Sequence, residues 1–90
     1  MAQLFYITFT FESGPKVDAL QAVFSKNCPD WLRTSHAAWI VWTDKTAEQW
    51  FHILKPLMGP KDYFFIFPIN NDGRHGWAPA WVWQWLDKHK

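Results

Sequence analysis

The chain has 90 residues, the size of a single domain, and we treat residues 1–90 as one domain. Nine Lys and Arg residues against eight Asp and Glu residues give a net charge of +1. The composition therefore carries no strong electrostatic signature of a nucleic-acid or anionic-membrane partner. A single cysteine excludes an internal disulfide and a cysteine-based zinc cluster within this chain. Aromatic residues make up 20% of the sequence, which predicts an aromatic-rich globular domain.

Targeting signals are not evident in the sequence. Thr8 and Thr10 interrupt the apolar run near the N-terminus, whereas a signal peptide needs an unbroken apolar region. No stretch approaches the roughly 18 consecutive apolar residues of a membrane span. Together with one free thiol, Cys28, these features predict a cytoplasmic protein with no membrane partner.

The N-terminal part of the chain predicts a strand followed by a helix. Residues 4–11 alternate with period two, so odd-numbered and even-numbered side chains fall on opposite faces of a strand. Apolar residues then recur at helical spacing over residues 17–24. We expect Ser13 or Gly14 to cap this helix, with Pro15 in its first turn.

A β-hairpin is predicted next. Pro29 disfavours helical backbone at the preceding residue and should end the first helix. Trp31–Ser35 and Ala38–Thr43 are rich in aromatic, β-branched and small residues, with a short polar turn between them. Because residues 39–42 are apolar at every position, the second of these strands should be central in its sheet.

A second helix and a fourth strand follow. Thr46 and Gln49 have the spacing of a capping box, and residues 50–57 carry an apolar stripe at helical spacing. Residues 62–69 predict a strand. Proline cannot donate to a strand ladder, so Pro68 indicates an edge position or a bulge.

The C-terminal part predicts a loop and a tail. Residues 70–76 are polar and loop-forming, and residues 77–90 form a Trp-rich tail. Pro79 should start a short helix there, with Trp81 and Trp85 facing inward.

The order β-α-β-β-α-β is the split-βαβ, or ferredoxin-like, plan. It predicts an α+β fold with one four-stranded antiparallel sheet over residues 3–70, both helices on one face, and the tail appended. Aromatic residues would line the other sheet face, which the two helices leave uncovered, so the tail or a second subunit should cover it. We therefore expect a homodimer. The residues expected in its interface, or in sheet-face packing, are Tyr6, Trp39 (or its neighbours), Tyr63, Trp77, Trp81 and Trp85.

Three stretches together resemble the small SinR-type proteins. They are Trp31 with Trp39-Ile40-Val41, the helix start Thr46-Ala47-Glu48-Gln49, and Gly76-Trp77-Ala78-Pro79 with Trp83-Gln84-Trp85-Leu86. SinR-type proteins are in turn similar to the CRISPR adaptation subunit called Cas-two and to the VapD ribonucleases. The resemblance covers nearly the whole chain. It implies a ferredoxin-like fold, a homodimer formed through the sheet, and a link to nucleic acid.

The resemblance also implies where a nuclease of this superfamily would hold its metal. Related sequences place an Asp near the end of the first strand, and its two copies across a dimer axis are proposed to bind a divalent ion. The corresponding pair here is Phe9-Thr10, and a hydroxyl is a poor ligand for Mg²⁺. Glu12 is the nearby carboxylate, at the end of the strand. We expect no metal site and no cofactor. Mg²⁺ enters only if the chain is a metal-dependent endoribonuclease, with Thr10 and Glu12 as its candidate residues.

Other polar residues give further candidates. Arg33, Lys45 and Arg74 occupy loop or turn positions, where they are candidates for weak, salt-sensitive contacts with RNA or DNA. Two groups are candidates for acid–base chemistry: the local cluster of Asp72, Arg74 and His75, and the pair Arg33 and His36 beside the hairpin turn. Polar residues of these types are also typical of solvated loops and turns. The four histidines show no metal-ligand spacing, and no His lies near the cysteine, which predicts an inert thiol.

Three function classes remain open from the sequence. The chain is a non-catalytic dimer that binds nucleic acid, a metal-dependent ribonuclease, or a protein-interaction module with no nucleic-acid role. The tryptophans are not interleaved with Lys and Arg, which favours packing over base stacking. An absence of basic patches would favour the third class over the first, and paired carboxylates at a dimer axis would favour the second.

Overall fold

A computed structural model of the protein describes residues 2–14 and 16–89. Within them the chain forms four strands, three α-helices and one 3₁₀ turn. In chain order these are β1 (Gln3–Thr10), α1 (Val17–Asn27), β2 (Asp30–Ser35), β3 (Ala38–Thr43), α2 (Ala47–Leu54), the 3₁₀ turn (Lys55–Leu57), β4 (Tyr63–Pro68) and α3 (Ala80–Asp87). No helix in this described part is long and apolar enough to cross a membrane.

The four strands form one antiparallel sheet in the order β2-β3-β1-β4. The fold is therefore a small α+β fold with a four-stranded antiparallel sheet, as the sequence predicts. The two-sided apolar strand β3 is central, and the strand that contains Pro68 lies at an edge. Both positions confirm the predictions made from apolar patterning and from proline chemistry.

Helices α1 and α2 cover one face of the sheet and form the first core with it. The Phe24 ring lies 5.3 Å from the Trp39 ring and 5.5 Å from the Trp50 ring, all between the helices and the sheet. Burying each such side chain stabilises the fold by about 1.5–3 kcal/mol. The buried members of this core are Phe5, Ile7, Phe9, Leu20, Phe24, Trp39, Val41, Trp50 and Leu54.

Helix α3 packs against the opposite face and forms a second, smaller core. Its apolar stripe runs through Val82, Trp85, Leu86 and His89, at i, i+3, i+4 and i+7. The prediction that Trp81 faces inward is wrong, because Trp81 lies at the margin of this stripe and is 55% exposed. The buried members of the second core are Leu4, Leu32, Trp85 and Leu86.

The two helix starts differ in how well the sequence predicts them. In α2 the capping box is present: the Thr46 amide donates to Gln49 Oε1 at 2.8 Å, and the Gln49 amide donates to Thr46 Oγ1 at 3.1 Å. The cap predicted at Ser13 or Gly14 is wrong, because α1 begins at Val17 with Lys16 as N-cap and no side-chain cap bond.

The turn after β1 explains why α1 starts later than the sequence predicts. Gly14 has φ of +98°, a left-handed conformation that glycine adopts without strain, so the chain is still turning where a cap was expected. Pro15, expected in the first helical turn, lies outside the described residues.

Candidate functional site

The exposed aromatic side chains of this protein concentrate on β4. Tyr63, Phe65 and Phe67 are 53%, 52% and 49% exposed, and we call these three residues the aromatic ladder. Strand alternation places them together on the face opposite α1 and α2. The Phe65 and Phe67 rings stack with centroids 5.7 Å apart, and the Tyr63 ring meets Phe65 edge-on at 6.0 Å. The ladder is a preformed apolar surface.

Helix α3 leaves the ladder uncovered because it packs on the other half of the same sheet face. Its contacts are with Leu4, Leu32, Ile40 and Trp42, which belong to β1, β2 and β3. The β1 residues opposite the ladder are Tyr6, Thr8 and Thr10. Two further tryptophans are exposed near α3, Trp77 fully and Trp81 by about half.

A groove lies on the helix side of β4, between this strand and α2. It encloses about 900 Å³. Phe51, Met58, Phe64 and Ile66 line it, with the Phe51 ring edge-on against Phe64 at 5.8 Å. Glu48 and Lys55, both exposed, lie on either side of Phe51 along α2 and also line the groove. The groove is therefore apolar inside and carries one charge of each sign on its helix wall.

Between ladder and groove runs the free edge of β4. The Ile69 amide donates to the Leu4 carbonyl at 3.1 Å, so odd-numbered residues of this segment direct their backbone groups toward β1. The amides of Phe64 and Ile66 consequently point to the open edge, where no described strand pairs. Pro68 also faces outward, which explains how the strand tolerates a residue without an N–H group.

The structure does not build a metal site around Thr10 and Glu12. Thr10 ends β1 opposite Tyr63, and the Glu12 carboxylate lies 4.0 Å from Lys61 Nζ. No group of three or more His, Cys, Asp or Glu residues in the described part of the chain could hold a metal ion. The carboxylate that the local fold does organise here is Asp62, which the sequence did not single out.

Asp62 fastens the loop after β1 to the loop before β4. Its carboxylate accepts hydrogen bonds from the amides of Glu12 at 2.9 Å and Gly59 at 2.7 Å, and from Lys16 Nζ at 3.3 Å. These bonds, led by the one from Glu12, hold the pKa of Asp62 below its ordinary value. A carboxylate committed to two amides and an ammonium is a structural crosslink between loops.

The three cations predicted to contact nucleic acid are not brought together. Arg33 is exposed on β2 opposite Trp39, near the start of β3, and Lys45 follows the far end of β3. Arg74 lies on the loop before α3 and is engaged there. These placements give no continuous basic patch from the predicted residues.

The contacts of Arg74 form a clasp between its loop and α3. Its guanidinium donates to Asn71 Oδ1 at 2.9 Å, pairs with Asp87, and lies 5.3 Å from the Trp83 ring centroid. Asn71 Nδ2 in turn donates to the Leu86 carbonyl at 2.6 Å. The predicted loop cluster therefore holds the tail in place, while His75 is exposed beside it.

A second clasp at the C-terminus was missed by sequence reasoning. His89 Nε2 lies 2.8 Å from Asp30 Oδ2, and the His89 ring stacks on Trp42 and meets Trp85 edge-on, both at 4.7 Å. Partial burial raises the pKa of Asp30, but hydrogen bonds from His89 and from the Trp31 amide outweigh it and lower the pKa. Because Asp30 and His89 lie 59 positions apart, no local sequence pattern predicts their contact. The helical spacing from Val82 to His89 does indicate that the His89 ring is buried.

Cys28 is inert at neutral pH, as its sequence context predicts. Burial raises the pKa of its thiol to about 11. The thiol lies 3.2 Å from the Phe24 carbonyl and 3.4 Å from the Asp30 carbonyl, within hydrogen-bonding distance of both oxygens. A raised pKa keeps the thiol protonated at neutral pH, which disfavours nucleophilic attack and metal binding.

Comparisons with known proteins do not add to this site. No family model matches the chain, and searches of curated proteins and of solved structures find no match.

Proposed function

We propose that this chain is a non-catalytic interaction protein that acts as a homodimer through β4. The observation that carries the proposal is the exposure of this one strand on three sides: the aromatic ladder on one face, the groove on the other, and the free edge between them. Contiguous apolar surface of this kind marks interaction sites in small domains. Aromatic side chains are the residues that most often anchor such interfaces.

We also infer a ferredoxin-like fold and kinship with the SinR-type proteins and Cas-two. The strand order supports the fold: β1 and β2 run parallel on either side of β3, and β3 and β4 run parallel on either side of β1. These are two interleaved split-βαβ units, with α1 and α2 packed on the same sheet face. A cytoplasmic location belongs to the same proposal and draws on the free thiol of Cys28.

Among the three function classes, the contacts favour a protein-interaction module that requires no cofactor. Arg74 is committed to its clasp, and residues 63–68 contain no charged side chain. A non-catalytic dimer that binds or scaffolds nucleic acid is the second candidate. The observation in its favour is the aromatic ladder itself, since single-stranded RNA stacks its bases on aromatics of open sheet faces. The nuclease alternative, with Mg²⁺ held near Glu12, finds no carboxylate cluster in the described residues.

Sedimentation equilibrium tests the homodimer directly. We expect wild-type protein to be dimeric at tens of micromolar and Phe65→Glu to be monomeric, because a carboxylate would be buried in the interface. Trp77→Glu is the matched control, since it places the same charge at a fully exposed aromatic away from β4 and should leave the dimer intact. A monomeric wild type would overturn the proposal.

A cleavage assay tests the absence of catalysis. Single- and double-stranded RNA and DNA, incubated with the protein in Mg²⁺ or Mn²⁺, should remain intact. Cleavage lost in Glu12→Ala would instead place a metal-dependent active site at the end of β1. Cleavage that survives this change but requires His75 or His36 would indicate metal-free acid–base chemistry.

A further inference from the structure

We infer that the partner on β4 is a second copy of this chain, paired edge to edge in one antiparallel register centred on Phe65. The inference rests on the proposed homodimer and specifies its geometry. Three features of the described residues point to it: the hydrogen-bonding groups of the free edge, the symmetry of the apolar surfaces on its two sides, and the charges of the groove.

The free edge admits only one fully bonded register. Hydrogen-bonded pairs must join outward-facing residues, which in β4 are Phe64, Ile66 and Pro68. Centring the twofold axis on Phe65 places Phe64 of one copy opposite the partner's Ile66, and the reverse. In each copy the amides of Phe64 and Ile66 then donate and their carbonyls accept, which gives four backbone hydrogen bonds.

The neighbouring registers each leave a backbone carbonyl without a donor. Centring on Ile66 places Phe64 opposite the partner's Pro68, which has no N–H group to donate to the Phe64 carbonyl. Centring on Phe64 places Ile66 opposite the partner's Asp62, whose amide already donates to the Gly59 carbonyl at 3.2 Å and is not free for the Ile66 carbonyl. An unpaired buried backbone group costs about 1–3 kcal/mol, so the register centred on Phe65 is favoured.

The same axis brings matching surfaces together on the ladder face. Phe65 meets the partner's Phe65, and Tyr63 meets the partner's Phe67. The two ladders then form one continuous strip of six aromatic rings. No charged residue lies between positions 63 and 68, so no like charges meet across the strands.

The groove side is complementary in charge. Glu48 precedes Phe51 along α2 and Lys55 follows it, and both line the groove. A twofold axis reverses the direction of the partner's α2, so Glu48 of each copy is directed toward the partner's Lys55. Phe51, 37% exposed, lies between these two charges on the groove wall.

The area covered by edge pairing is small. Half of three aromatic side chains, at about 150–250 Å² per aromatic, leaves roughly 300 Å² of ladder surface on each copy, and pairing covers only the sides of the rings that face the axis. Weak and transient interfaces bury less than about 1,200 Å² in total, so the dimer should dissociate on dilution.

Cysteine crosslinking tests the register. In the favoured register Phe65 and its symmetry mate form a non-hydrogen-bonded pair with Cα atoms about 4.5 Å apart, which suits a disulfide. A Phe65→Cys protein should therefore crosslink to itself under mild oxidation. Phe67→Cys is the matched control, because its two copies lie four residues out of register, about 13 Å apart. Wild type, whose only thiol is the partly buried Cys28 with its raised pKa, should not crosslink.

A mixing experiment fixes the geometry further. Phe67→Cys and Tyr63→Cys should each crosslink to itself at least tenfold more slowly than Phe65→Cys, yet form a mixed disulfide when combined. Hydrogen exchange on wild type gives a readout that needs no substitution: the amides of Phe64 and Ile66 should exchange slowly in the dimer and rapidly after dilution to monomer.

The outcomes separate the register from the proposed function. If wild type is dimeric but Phe67→Cys crosslinks faster than Phe65→Cys, or the two amides exchange rapidly in the dimer, the register is wrong and the homodimer stands. If wild type is monomeric and no variant crosslinks, both fail, and the free edge belongs to a strand of a different protein or to RNA stacked on the ladder.

Discussion

The two halves of the sheet face opposite α1 and α2 have the same kind of apolar surface, but only one half is covered by another part of the chain. On β1, β2 and β3 this face lies under α3, where Leu4, Leu32, Trp85 and Leu86 form a closed second core. On β4 the aromatic ladder remains about half exposed. Apolar residues on a strand predict that a sheet face will be covered. Which part of that face is covered depends on how far another segment of the chain extends over it.

The reach of α3 is set by two clasps at its C-terminal end. Arg74 and Asn71 connect the preceding loop to the last turn of the helix, and His89 connects the chain beyond it to Asp30 at the start of β2. The His89 contact holds this end of the helix at the β2 side of the sheet. A helix of eight residues, about 12 Å long, held there does not extend over the β4 edge.

The largest expected effect comes from opening the covered half. Trp85→Ala removes the main side chain of the second core and should lower the free energy of unfolding by about 3–5 kcal/mol. Trp81→Ala, one helical turn earlier but exposed, should change it by less than about 0.5 kcal/mol. Urea denaturation followed by circular dichroism measures both. Equal losses in the two variants would mean that α3 does not pack as described.

Releasing the loop clasp should have a smaller effect. Arg74→Ala removes the contacts to Asn71, Asp87 and Trp83, and we expect it to lower the free energy of unfolding by about 1–2 kcal/mol. Arg33→Ala, at an exposed position on β2, is the control and should be nearly neutral. If Arg74→Ala instead leaves stability unchanged and weakens binding to RNA, its role is contact with nucleic acid and the clasp is incidental.

The predictions that the structure confirms are those that rest on local sequence patterns. Period-two alternation in β1 and the two-sided apolar run of β3 are local patterns, and they predict both the faces and the central strand because each side chain's direction follows from strand geometry alone. Pro68 predicts the edge position in the same way. The capping box of Thr46 and Gln49 is equally local, and it forms as predicted.

What the sequence could not show depends on contacts between distant segments. Asp30 and His89 lie 59 positions apart, and Asp62 holds Lys16 from 46 positions away, so neither pair leaves a pattern in either segment alone. The start of α1 depends on the left-handed turn at Gly14, which delays the helix. The apolar sequence of β4 indicates a strand with apolar faces. Whether those faces are exposed depends on where α3 ends.

The C-terminal clasp predicts a modest dependence of stability on acid pH. The pKa of Asp30 is lowered on folding from an ordinary value of 3.8, so its ionised form is favoured in the folded protein. The stabilisation is complete above the unfolded pKa and is lost as pH falls below about 3.8 and through the folded pKa. We expect Asp30→Asn to be less stable than wild type at pH 6, by less than about 1 kcal/mol because the pair is partly exposed. The difference should shrink as pH is lowered toward 2. Thermal unfolding at both pH values measures it, and a difference that grows in acid would contradict the assignment.

The smallest expected effect on stability belongs to the uncovered half, and there it separates folding from association. Phe65→Thr introduces a β-branched residue suited to a strand and removes a side chain that is about half exposed in the single chain. In dilute solution, where the protein is monomeric, its free energy of unfolding should lie within about 0.5 kcal/mol of wild type. At tens of micromolar, sedimentation equilibrium should show a shift from dimer to monomer. A large loss of stability in the monomer would mean that the aromatic ladder stabilises the fold of a single chain. The proposal that the β4 surface is the interaction site would then be wrong.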